Sequence, residues 1–262
     1  MTPMPYISAL KNEEWKRLSP SERIAGLNAL EVHLAAQDGR DPCQVSIEPL
    51  NPFENGVHYF DSDDAEHIAI NPRLLQSEQP YQAVETLFHE DRHAHQYHHA
   101  QNADNTIDES PLRDWGMSIN GGYIEPADLS YSSYRWQPVE KDAYQKARAN
   151  TDALYEETFQ DAEAYPAYKA EKEQEIQDQV NYAQNELGEN YEEEARQAVQ
   201  AKYQAKMDMN QDRGSITGQD AEATKTSSEP EPSQPNKIAT PSESSGTEAA
   251  EEDNPYDYGY GL

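Results

Sequence analysis

Positive charge is what this chain has least of. Against 50 Asp and Glu stand 20 Lys and Arg in 262 residues, a formal net charge of −30. Binding a nucleic-acid backbone needs basic side chains to neutralise phosphates, so no nucleic-acid partner is expected. Anionic membrane surfaces are disfavoured for the same reason. Cysteine is nearly absent, with Cys43 alone, so no internal disulfide can form and no cysteine-based zinc site is expected. No apolar run is long enough to span a bilayer, which excludes membrane insertion by a helix. No N-terminal stretch joins a basic start to an apolar run. The chain is therefore expected to be made in the cytoplasm without a classical signal peptide, with specialised secretion into a host or target cell left open. Apolar residues make up 35% of the chain and mean hydropathy is −1.05, so much of it cannot lie in a core.

Histidine, by contrast, is concentrated. Five of the 8 histidines fall between positions 89 and 99. His89-Glu90-Asp91-Arg92-His93 is an H-E-x-x-H string, preceded by Val84, Leu87 and Phe88 at helical spacing. Four residues make about one helical turn, so His89 and His93 project from one face and can grip one Zn²⁺. Glu90 follows the first ligand and is the candidate general base for a metal-bound water. These are the working parts of a zinc metallopeptidase.

The residues around the string carry a family resemblance. Thr86-Leu87-Phe88-His89-Glu90-Asp91-Arg92-His93-Ala94-His95-Gln96 resembles the T-x-x-H-E-x-R-H-A-x-Q signature of small bacterial metallopeptidase domains of the zincin, gluzincin-like type. Such domains recur in toxins, secreted effectors and mobile elements. The resemblance is close over about a dozen residues and extends from roughly Trp15 to Asn150, short of the C-terminal third. It implies a zincin fold and hydrolysis of peptide bonds in a protein substrate, without naming that substrate.

A catalytic zinc site needs a third protein ligand. Pro138 suits the first turn of a helix running to about Gln160, which places Glu140 in its opening turn. Similar families take their third ligand from a Glu near the start of a downstream helix, so the resemblance points to Glu140. A rival is His99, ten residues after His89 as in H-E-x-x-H-x-x-G-x-x-H. There position 96 should be Gly, and here it is Gln96, which tolerates helix. Met117, after Gly116, could mimic the methionine turn of such enzymes. Gln96, Asp142 and Tyr134 are candidates to orient a ligand or substrate. Tyr123, Tyr131 and Tyr134 are candidates for a hydroxyl that stabilises an oxyanion, although most are expected to pack.

The expected fold is α+β. Residues 8–40 read as two helices, with Ser19 as N-cap, Pro20 at the first helical position and Gly39 as the stop. Residues 44–48, 56–60 and 67–70 read as strands of a small antiparallel sheet, with a hairpin turn at Asp61–Asp64. His58 and His67 read as surface or sheet residues. Next come the motif helix, an irregular loop over 101–135, and the helix bearing Glu140. The expected domains are a zincin-like metallopeptidase over 1–160, a helical hairpin or arm over 161–209, and a disordered acidic tail over 210–262. The arm reads as solvated, with packing on the catalytic domain or a partner as the other option. The tail ends in three tyrosines and could dock a basic protein or a secretion machine. A non-catalytic acidic binding or adaptor protein with a degenerate zincin domain is the competing reading of the whole.

Overall fold

The computed structural model describes residues 7–60, 66–102 and 110–216, and shows an α+β chain, mostly helical, with one small sheet. A 3-10 turn (Ile7–Leu10) leads to a short helix α1 (Asn12–Trp15) and then α2 (Pro20–Asp38). The start of α2 follows its sequence signals. Ser19 accepts from the Glu22 backbone N–H, while the Glu22 carboxylate accepts from the Ser19 N–H, a reciprocal capping box with Pro20 at N1. Gly39 ends the helix at φ 72, a left-handed conformation that glycine adopts without steric cost.

Three strands follow: β1 (Gln44–Ile47), β2 (Gly56–Tyr59) and β3 (His67–Ile70). The sheet order is β1-β3-β2, with β2 antiparallel and β1 parallel to β3. This corrects the expectation of a purely antiparallel sheet. Side chains alternate with period two in either orientation, so pattern alone cannot report strand direction. The expected turn at Asp61–Asp64 lies outside the described residues. His58, expected at the surface or in the sheet, is a buried sheet residue.

The motif helix α3 (Tyr81–Asn102) is followed by α4 (Ser110–Met117), a π-helical turn (Ser118–Gly122) and α5 (Tyr131–Trp136). Within the described part of the stretch read as one irregular loop, Ser110–Met117 and Tyr131–Trp136 are helical. Its glycines and short apolar spacing hid segments of only six to eight residues. Met117 closes α4 and forms no separate methionine turn. Then come α6 (Pro138–Asp152), a π-helical continuation (Ala153–Thr158), α7 (Tyr165–Leu187) and α8 (Tyr191–Ile216). Gly188, at φ 89, breaks α7 from α8. Helix α8 continues past the expected start of the tail at 210, and residues 217–262 lie outside the described residues. Among the described residues, no helix is long and apolar enough to cross a membrane.

The described chain forms two contact units. One holds the residues to His95 with Ala143–Glu175; the other holds Gln96–Asp142 and the residues from Ile176. The first unit has the larger core. Trp15, Leu27, Leu30, Val45, Ile68, Ile70, Val84, Leu87 and Phe88 pack with Tyr155, Tyr165 and Tyr168. Burial on this scale is the main favourable term of folding, at roughly 25 cal/mol per Å² of apolar surface. The buried tyrosines keep their hydroxyls satisfied: Tyr155 donates to the Leu10 carbonyl at 3.0 Å and Tyr165 to Asp152 at 2.6 Å. Arg23 is buried and ties α2 to the segment before α3, donating to the Trp15, Leu75 and Ser77 carbonyls. In the second unit α8 packs on α5, α4 and the π turn. Arg196 reaches Asp114 at 3.0 Å, Lys202 reaches the Tyr123 carbonyl at 2.6 Å, and Trp136 packs with Ala183 and Ala195. Much of the sequence read as a solvated arm is thus packed.

Candidate metal centre

Helix α3 presents the H-E-x-x-H string as its spacing requires. His89 and His93 lie one turn apart, and their Nε2 atoms are 3.1 Å from each other. Two imidazole nitrogens bound to one tetrahedral zinc at 2.0–2.1 Å would stand about 3.3 Å apart. The pair is therefore already near ligand spacing. The His89 ring rests against Tyr144, with centroids 4.3 Å apart.

Glu140 comes from the first turn of α6 and is only 1% exposed. Burying a carboxylate is costly unless it is paired or bound to a metal. Tyr123 donates to Glu140 Oε1 at 2.7 Å. Tyr134 stands near the same carboxylate, and burial first, then the Glu140 charge, holds its hydroxyl well above the usual tyrosine range. Gln96 is buried and donates to the Val139 carbonyl at 2.9 Å and to Asp142 Oδ2 at 2.7 Å. Gln96 and Asp142 thus hold the turn that carries Glu140.

One ligand atom each of His89, His93 and Glu140 lies within 4.8 Å of the others. Two imidazoles and a buried carboxylate match the donor set of a catalytic zinc ion with a position left for water. The residues fit the metal. His99 falls elsewhere, grouped with Asp38 and His95. Helix α3 runs unbroken through Asn102, and six residues at about 100° each carry His99 about 120° round the helix from His93.

Glu90 is buried beside the sheet. A Cβ on Gly56 would lie 2.6 Å from Thr86 Cγ2 and 3.0 Å from Glu90 Cγ and Oε1. Only glycine lets the β2 backbone approach the motif this closely. The sequence reading missed Gly56; a glycine opening a strand was the available signal. We expect Gly56→Ala to cost about 1–3 kcal/mol through overpacking. Thr86→Ser, which deletes the facing methyl, should restore part of the loss. Urea denaturation of the single and double variants checks this, and a Gly56→Ala chain as stable as wild type would remove the argument.

A buried charge network behind the motif was also missed. The Arg40 guanidinium donates to Glu31 Oε1 at 2.9 Å and to the Asp91 carboxylate. Burial, then the Glu31 charge, pushes the Asp91 carboxyl up to about 7 against the pull of Arg40. This network joins α2 to the residue between Glu90 and Arg92 of the motif. No protein-family model, curated protein or solved structure matches this chain, so the reading of its function rests on its own residues.

Proposed function

We propose that this protein is a zinc-dependent peptidase of the zincin type acting on a protein or peptide substrate. One observation carries the reading: two imidazoles on α3 and a buried carboxylate on α6 bring three zinc-type donor atoms within 4.8 Å. Bound there, Zn²⁺ supplies Lewis acidity toward a scissile carbonyl and a water acidic enough to ionise near neutral pH. The protein's residues do the rest. Glu90, next to the first histidine, accepts the proton of the attacking water and delivers it to the leaving amine. Tyr123 and Gln96 hold the Glu140 turn, fixing one ligand in place. Strand β2 is an edge of the sheet and lies against the motif at Gly56, so an extended peptide can pair with its main chain beside Glu90.

Ligand substitutions test the centre. His89→Ala and His93→Ala should each lose one tight zinc equivalent relative to wild type, and Glu140→Gln should weaken binding at that centre strongly because an amide oxygen is a poor donor. His99→Ala should bind zinc as wild type does. Metal content of the purified chains by mass spectrometry reads all four. The Glu140 assignment fails if Glu140→Gln keeps the full wild-type zinc content while His99→Ala loses one equivalent.

A further inference from the structure

The single cysteine rules out a site made of cysteines, but not one cysteine among mixed donors. Cys43 precedes β1, His58 lies in β2 and Glu66 precedes β3. One ligand atom of each lies within 4.8 Å of the others. His58 Nε2 is 3.6 Å from Glu66 Oε2, and Cys43 Sγ is 3.8 Å from the same oxygen. On a tetrahedral zinc, nitrogen and oxygen ligands stand about 3.4 Å apart, and sulfur and oxygen about 3.6 Å apart. Both observed separations are within a few tenths of an ångström of those values. Cys43 is 3% exposed and His58 1%, whereas the Glu66 side chain is 36% exposed and leaves a way in from solvent.

The surroundings favour a cation. Arg40 is the guanidinium of this corner, and Glu31, Asp38 and Asp91 all share it. Adding Glu66 leaves negative charge in excess. An Arg40 N–H also approaches Cys43 Sγ at 3.6 Å, as outer-shell donors do toward a metal-bound thiolate.

We propose that Cys43, His58 and Glu66 form a second metal site, separate from the His89–His93–Glu140 centre, for a zinc-like divalent transition ion. As the sulfur–metal bond forms, the thiol proton leaves to solvent. The three ligands sit at or beside all three strands, so the ion cross-links the sheet whose edge strand β2 lies on Glu90. Its role is to hold that edge in place.

Co²⁺ tests this, because a cobalt–thiolate bond gives a near-ultraviolet charge-transfer band that histidine and carboxylate ligands do not. Two full-length chains are titrated with Co²⁺ alone: wild type and His89→Ala/His93→Ala, in which the first centre is destroyed. Both should develop the band, saturating at one equivalent in the double variant, and the thermal midpoint should rise with it. Adding Cys43→Ser, nearly isosteric, should abolish band and rise while leaving the metal-free midpoint unchanged. Adding Glu66→Gln should weaken binding by more than about tenfold, the loss found even for groups one shell further out. No band in wild type at saturating Co²⁺ overturns the proposal. A band in wild type that vanishes in His89→Ala/His93→Ala, with unchanged circular dichroism, assigns the sulfur to the first centre and also overturns it.

Discussion

Glu90→Gln should lower peptide hydrolysis by about 10²–10⁴-fold while the chain keeps its fold and its metal. The substitution preserves shape and removes only the capacity to take a proton. Glu90 is one position past His89, about 100° round the helix, and does not belong to the group of three donors. Its proposed role is with the attacking water rather than the ion. Packing should survive as well, because the side chain stays buried under Gly56 with its atoms in place. Cleavage of a denatured protein, followed with metal content on the same samples, separates the roles. A Glu90→Gln chain that cleaves like wild type would dismiss Glu90 as the base. A wild-type chain that holds zinc and cleaves nothing would favour the acidic binding protein over the peptidase.

The largest stability effect is expected at Arg40. Its side chain is almost wholly buried against Glu31, which is 0% exposed. Removing one partner of such a pair leaves an uncompensated buried charge, so Arg40→Ala should destabilise the fold by about 3–5 kcal/mol. Exposed pairs such as Lys16–Glu13 should contribute only about 0–1 kcal/mol. Glu31→Gln in the Arg40→Ala background should recover part of the loss, giving strongly non-additive energies in a double-mutant cycle. Urea midpoints measure all of these. A loss below about 1 kcal/mol for Arg40→Ala would show that water reaches the network. Because Arg40 also bonds Asp91 inside the motif, zinc affinity of Arg40→Ala should fall with stability.

Much of the helical framework was legible because its signals are local. Ser19, Pro20 and Glu22 start α2 and Gly39 ends it, each acting within one turn of its own position. Pro138 opens α6 and Gly188 separates α7 from α8 by the same short-range logic. The sheet was legible as three strands but not as a mixed sheet, since β1 finds β3 across β2 in sequence. Nothing in the sequence marks Arg23, Glu31 and Arg40 as buried, because their burial is set by what packs over them. The helices within 110–136 were missed because each is too short for a clear period.

For the candidate site, the sequence alone determined that His89 and His93 share a helix face with Glu90 beside them, because helical pitch relates residues four apart. It left the third donor open between Glu140 and His99. Only the tertiary structure separates the two candidates: a ligand atom of Glu140 groups with those of His89 and His93, whereas His99 groups with Asp38 and His95. Helix α3 is unbroken, so helical pitch carries His99 off the His89–His93 face, and Glu140 stands in the first turn of α6. The turn that carries Glu140 is fixed by contacts between residues far apart in sequence, Gln96 to Val139 and Tyr123 to Glu140, and no spacing along the chain encodes them.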